Sequence, residues 1–220
     1  MTYKKYPKMK HLPWSKSVTN DDKKLDDVHH FEQMEEVVVM EKLDGECTTM
    51  YRDHIHARSI DSKHHPSRSV VKSIHADIRY KIDSNMAIVG ENMYAKHSIF
   101  YDKLTADFYV FAIYHQWNNG SITLLSWEDT KDYVEYLELN ICPELYRGPW
   151  NEEAIRACWN GKSFYGDTSE GYVVRNTYDF NYNSFSDNIA KYVRENHVQT
   201  DKNWFFQPMI KNELEGHTNV

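Results

Sequence analysis

Apolar residues along the chain fall into short runs set between polar turns, and run after run ends on a charged side chain. Val37-Val38-Val39-Met40 predicts a buried strand that stops on Glu41, Lys42, Asp44 and Glu46. Thr48–Arg52 and His54–Arg58 read as half-buried strands, joined as a hairpin across a tight Arg-Asp turn. Val70, Ile74 and Ile78 recur at four-residue spacing and predict a helix from Ser67 or Ser69 to about Tyr80. Ala87-Ile88-Val89-Gly90 predicts another buried strand, delivering Glu91. Phe108–His115 and Ser121–Leu125 flank Asn118-Asn119-Gly120, a strong hairpin signal. Ser126-Trp-Glu-Asp129 has the form of a capping box opening a helix to about Leu139, and Asn151–Cys158 reads as a shorter helix with Gly161 just past its end. Gly171–Arg175 and Ile189–Val193 complete the strand signals, while the stretch up to about residue 30 is polar with scattered aromatics. The class is α+β, with antiparallel strands dominating.

Composition narrows this picture. With 220 residues and no Gly/Ser-rich or Pro-rich linker, residues 1–220 read as one domain. Rings are abundant (16 Tyr, 6 Trp), which puts them in the core or on a binding face. A membrane span needs roughly 18 or more consecutive apolar residues, and neither such a run nor a signal-type apolar region is present. The 3 cysteines, Cys47, Cys142 and Cys158, are an odd number without CxxC spacing. They suit a reducing, cytoplasmic setting and argue against both a disulfide framework and structural zinc. The 12 histidines show no HExxH-type spacing. A net charge of -7 disfavours non-specific duplex binding, so any polyanion would have to be held by a local basic patch. The stretch from Arg58 through Lys63, His64, His65 and Arg68 to Lys72 is the candidate, although a solvated loop and helix face is the ordinary reading of such a run.

Strand ends thus deliver Lys42, Arg58, Glu91, Glu170 and Lys191. Their segments follow one another as EKLDGE, HARSID, GENMY, FYVFAIY, SEGYVVR and AKYVR. Over residues 41–194 this series resembles the motif set of the covalent nucleotidyltransferase superfamily, the ligases and mRNA capping enzymes. The opening YPKMKHLPWS…DDKKL and the segment GENMYAKHSIFYDKL resemble the RNA ligase branch more than the DNA ligases. The resemblance implies a nucleotidyltransferase (adenylation) domain of antiparallel sheets flanked by helices, using ATP and Mg2+ or Mn2+, with RNA 5′-phosphate and 3′-hydroxyl ends as partners.

The residue chemistry fits that expectation. A lysine attacks an α-phosphate only as a neutral amine, against an unperturbed pKa of about 10.4. Nearby cations and partial desolvation would lower that value, and Arg58 and Lys191 are expected to supply the field as well as phosphate contacts. Lys42 would become the lysyl-AMP, and Glu170 is the best candidate for a metal carboxylate. By resemblance Glu91 would hold the ribose, Phe111 and Val173 would sandwich the adenine, and Glu41 would read its edge. Asp44 and Gly45, the turn of the lysine signature, join the nucleotide-binding set. Phe111 and Val173 also sit in apolar strands, where core packing is the usual role, so both roles stay open.

Two departures stand out. Many relatives carry a second lysine one residue beyond Lys191-Tyr192, where this chain has Val193, leaving Arg194 to substitute or the contact to be missing. The chain also ends 26 residues after Arg194, too few for an OB-type or RNA-clamping domain with its contact to the pyrophosphate leaving group. An accessory RNA-binding protein is then a candidate partner, and Trp204-Phe205-Phe206 is expected to pack back as an anchored tail. The expected function is ATP-dependent RNA ligation. A DNA or mixed-nick ligase and a non-catalytic nucleic-acid-end binding protein remain as rivals, with a guanylyltransferase behind them.

Overall fold

The apolar runs pair into two sheets that face each other across a shared core. The computed structural model describes residues 2–16, 22–197 and 208–216; Trp204-Phe205-Phe206 lies outside them. In chain order the elements are β1 (Lys10–His11), α1 (His29–Glu32), β2 (Val37–Lys42), β3 (Glu46–Tyr51), β4 (Ile55–Ala57), α2 (Ser69–Ile78), β5 (Met86–Asn92), β6 (Phe108–Gln116), β7 (Ile122–Leu124), α3 (Trp127–Tyr136), β8 (Asn140–Ile141), β9 (Glu144–Gly148), α4 (Glu152–Ala157), β10 (Gly171–Asn176), β11 (Phe180–Asn181), α5 (Phe185–Asn188) and β12 (Ile189–Val193). The first sheet has the order β1-β12-β10-β2-β9; the second runs β11-β7-β6-β5-β3-β4, with β8 against β6. Only the β1–β12 and β6–β8 pairings among these are parallel.

Side chains alternate between the faces of a strand, and here the alternation decides what is buried where. Val38, Met40, Val173 and Ile189 of the first sheet point at Val89, Tyr109, Ala112 and Tyr114 of the second. Val37, Val39, Val174 and Ala190 face the other way, onto Leu12, Phe31 and Ile155. The first sheet is covered on both faces, which is why Val37–Met40 reads as an unbroken apolar run. Helices α2 and α3 cover the outside of the second sheet, where Val71, Ile78, Val134 and Leu137 meet Met50, Ile88 and Val110.

The elements agree with the sequence reading, with shifted ends. Strand β2 runs on past Met40 to Lys42, α2 is preceded by a 3-10 turn at Pro66–Arg68, and α3 starts after Ser126, whose Oγ accepts from the Asp129 amide at 3.1 Å. Asn151 caps α4 in the same way, accepting from the Ala154 amide at 3.0 Å. The elements without a hydrophobic signature are β1, β8, β9, β11, α1 and α5. The polar N-terminal stretch contributes β1 to the sheet edge and one of its scattered aromatics, Tyr6, to the core. Cys47, Cys142 and Cys158 are free thiols, and among the described residues no helix is long and apolar enough to cross a membrane.

Candidate active site

The ends of two paired strands bring the key ionic groups together. Lys42 closes β2 and lies opposite Gly171, which opens β10, so Glu170 arrives beside it. Lys42 Nζ donates to Glu170 Oε2 at 2.6 Å. Lys42 follows Val38 and Met40 on the inward face by period-two alternation, and Lys191 shares that face from β12, opposite Val173.

Between the sheets lies a cavity of about 660 Å³, in the range of small-molecule sites. Its wall includes Glu41, Lys42, Gly45, Arg58, Glu91, Phe111, Glu170, Val173 and Lys191. Asp44 and Arg194 are not on it. The Asp44 Oδ2 is committed to the amides of Ser98 and Ile99, 2.8 Å from each. Arg194 lies just past the end of β12; its amide donates to Glu170 O and its Nη1 to Glu195 O. Their printed hydrogen bonds thus run to the protein itself, and neither is on the cavity wall. The basic stretch is divided as well. Arg58 is exposed at the cavity rim, Lys63 and Lys72 lie on the surface, and Arg68 is spent on Glu46 through a two-pronged pair of 2.5 and 2.6 Å.

Local backbone devices aim the remaining groups. Gly45 donates its amide to Glu91 Oε1 at 3.0 Å, and a Cβ there would come within 2.4 Å of Asn92 O, so only glycine lets the turn lie against β5. In the β5–β6 ladder Val89 pairs with Ala112 and Gly90 with Val110, leaving Phe111 as the extra residue of a bulge. The bulge re-aims its ring, which is half-buried in the cavity wall and edge-on to Tyr6 at 5.0 Å. Val173 is buried on the opposite wall. Glu41 Oε2 accepts from the Phe164 amide at 3.1 Å, while its buried Oε1 has no hydrogen-bond partner among the described residues. A buried acceptor left unbonded is costly, and Glu41 belongs to the cavity wall.

The electrostatics depart from the expectation that cations lower Lys42. Burial pushes Lys42 down, but the carboxylates of Glu170, Glu91 and Asp44 outweigh it and hold the group above its ordinary range. The departure arises because acids, not Arg58, are its nearest neighbours. Burial, followed by the charge of Lys42, pushes Lys191 down instead. Burial raises Glu170 and Glu41, and it pushes Glu91 up to about 8.

Glu91 makes a stability prediction. Its folded pKa of about 8 lies above the ordinary carboxylate value of 4.5, so between these the unfolded chain has released a proton that the fold retains. Stability then falls as pH rises, by at most about 1.4 kcal/mol per unit for one group. Buried His11, His56 and His75 are pushed down from 6.5, and their opposing effect ends near that pH. Thermal melts from pH 6.5 to 8 are therefore expected to show a falling Tm that Glu91→Gln flattens.

Two further residues of the site were not singled out from the sequence. His197 Nε2 sits 3.2 Å from Glu170 Oε1 and 3.6 Å from Asp44 Oδ1, and one ligand atom from each of Asp44, Glu170 and His197 lies within 4.8 Å of the others. Arg175, fully buried, donates from Nη1 to Phe111 O at 3.4 Å and from Nη2 to Leu125 O at 2.7 Å, with its guanidinium over the rings of Trp127 and Phe180. Arg175 closes the SEGYVVR segment, so its position was visible although its role was not.

Residues 35–193, most of the chain, match the RNA ligase family. The chain belongs to the RNA ligase family. No curated protein matches this RNA ligase family member significantly. Among solved structures it is similar to a Naegleria gruberi RNA ligase lysine-to-alanine variant with ATP and Mn, at 21% identity and a TM-score of 0.59, covering 76% of this chain and 52% of that one. It is likewise similar to the Naegleria gruberi RNA ligase with PPi, at 22% identity and a TM-score of 0.54 over the same shares. A third, a lysine-to-methionine variant with AMP and Mn, gives 21% identity, a TM-score of 0.53, and 74% and 51% coverage. The RNA ligase chain thus spans about half the length of the structures it matches, and it has their nucleotidyltransferase fold.

Proposed function

We propose that the chain is an ATP-dependent RNA ligase that works through a lysyl-AMP on Lys42. The observation that carries this reading is Lys42 Nζ, inward-facing and 2.6 Å from Glu170, at the wall of a nucleotide-sized cavity that Glu41, Arg58, Glu91 and Lys191 also line. In the first step the neutral Lys42 amine attacks the α-phosphorus of ATP, forming the N–P bond as the bond to pyrophosphate breaks. In the second, the oxygen of an RNA 5′-phosphate takes the AMP, forming a 5′-5′ anhydride and returning the Lys42 amine. In the third, an RNA 3′-hydroxyl attacks the activated phosphate, closing the phosphodiester and expelling AMP.

The residues divide the work by position. Glu41 Oε1 accepts from the exocyclic amine of adenine, Phe111 and Val173 pack on its two faces, and Glu91 reaches the ribose. A neutral carboxyl suits Glu91 there, because it can both donate and accept. Arg58 and Lys191 stand where the phosphates would be neutralised. The donor set of Asp44, Glu170 and His197, with two carboxylates and an imidazole close together, fits a divalent ion. Mg2+ or Mn2+ there, with Glu170 as the main carboxylate, would supply charge neutralisation for the phosphates and the leaving group. Glu170 cannot serve such an ion fully while it holds the Lys42 ammonium, so release of that pair and loss of the Lys42 proton belong to the same stage. The ATP, AMP and PPi complexes of the Naegleria relative support this assignment, as does the family. An accessory RNA-binding protein is proposed to add substrate surface.

The test is incubation with α-labelled ATP and magnesium or manganese, first alone and then with 5′-phosphorylated RNA carrying a 3′-hydroxyl. Label on the protein, its transfer to RNA and a joined product are expected. DNA ends run in parallel separate RNA from mixed-nick ligation. A folded chain free of bound AMP that takes no label would return the reading to an end-binding protein.

A further inference from the structure

The mouth of the cavity carries a second charged cluster, built by the N-terminal segment. There β1 lies parallel to β12, with His11 beside Lys191 in register, and the Leu12 amide donates to Lys191 O at 2.8 Å. Residues 23–25 are laid along β1 in turn: the His11 amide donates to Lys23 O and the Leu25 amide to His11 O, both at 2.8 Å. This double strap delivers the Asp22 carboxylate to the cavity wall, where Lys8 Nζ stands at 3.3 Å, His11 Nε2 at 3.3 Å and Lys191 Nζ at 3.6 Å. The cluster is largely withdrawn from solvent on one side, since Asp22 is 11% and Lys191 14% exposed, whereas Lys8 opens to water at 48%.

A carboxylate gathered by two ammonium groups and an imidazole makes the same contacts that a phosphate would make. Two lysines converge on this one carboxylate, and a dianion in its place would draw on both ammonium groups more strongly than a single acid does. The backbone on the C-terminal side of Asp22 is held to β1 by the hydrogen bonds of Lys23 and Leu25 with His11, so the strap itself does not depend on the Asp22 side chain.

We propose that Lys8, His11 and Lys191 form a phosphate subsite at the cavity mouth, and that the Asp22 carboxylate fills it until a substrate phosphate takes its place. The idea rests on the ligase reading and deepens it by adding Lys8, His11 and Asp22 to the site. The phosphate comes either from the triphosphate of the nucleotide or from the 5′ end of the RNA. Lys8 and His11 are binding groups, and Asp22 is an internal competitor for the same position.

Opposite signs test it. Self-labelling is measured against ATP concentration for the full chain, Lys8→Ala and Asp22→Asn, with melts to show that each is folded. Lys8→Ala is expected to raise the half-saturating ATP concentration about tenfold, as loss of one charge-assisted contact does. Asp22→Asn, which keeps the shape and removes the charge, is expected to lower it several-fold. If Asp22→Asn weakens ATP as Lys8→Ala does, Asp22 merely holds the lysines in place and the displacement is overturned. If ATP is untouched, the same variants are loaded with AMP and titrated with 5′-phosphorylated RNA. A shift there assigns the phosphate to RNA, and no shift in either titration overturns the subsite. Should the wild-type chain take no label, the ligase reading itself has failed; calorimetric titration with inorganic tripolyphosphate then reads the cluster alone, with the same opposite signs expected and equal affinities overturning it.

Discussion

Lys42→Ala will take no label from α-labelled ATP, and Lys42→Arg will take none either while keeping the fold. The pair of variants separates chemistry from charge. Arginine retains a cation against Glu170, which holds Lys42 Nζ at 2.6 Å, but a guanidinium does not give up its proton to become a nucleophile. Alanine removes the cation and leaves Glu170 with His197 as its remaining close basic neighbour. A buried carboxylate stripped of its partner costs about 3–5 kcal/mol. Lys42→Ala should therefore melt lower than Lys42→Arg, although both read as blank on a denaturing gel. Label on Lys42→Arg would mean that another residue accepts AMP, and the assignment of the nucleophile would fall.

Gly171→Ala is expected to damage fold and site together. A Cβ at this position would meet Tyr192 O at 2.0 Å and Tyr192 C at 2.9 Å, both backbone atoms of the adjacent strand. The φ of 156° adds strain for any side chain. Gly171 pairs with Val193 on one side and Lys42 on the other, so relief of the clash has to pry β12 from β10. That movement separates Lys191 from Glu170 and Lys42. A loss of about 3 kcal/mol or more is expected, lowering Tm by roughly 6–12 °C in a chain of this size. Labelling should fall at least tenfold even below the melt. A variant with unchanged Tm would show that the close approach at Gly171 is not a constraint.

Much of this site was legible because its key groups stand at strand ends. Lys42 and Glu170 meet since β2 and β10 are neighbours, and both strands announce themselves as apolar runs. The strand β1 escaped notice for a physical reason. Two polar residues at a sheet edge are held by backbone hydrogen bonds, which leave no hydrophobic pattern. Phe111 was ambiguous because alternation cannot register a bulge, and the bulge decides that its ring faces the cavity. The charge state of Lys42 was misjudged on the ground that nearness along a motif series is not nearness in space. Arg58 shares the series, yet Glu170, Glu91 and Asp44 set the local field. His197 follows the last motif in sequence and joins the site only through the turn after β12.

Arg175 has a mechanical consequence. Its side chain leaves the first sheet and grips the carbonyl oxygens of Phe111 in the second and of Leu125 just past β7, several residues along β10 from the Lys42–Glu170 pair. The two sheets are riveted there as the spine of a book is bound. The wall formed by Phe111 and Val173 lies beside that spine, whereas Lys42, paired with Gly171, stands four residues farther along β10.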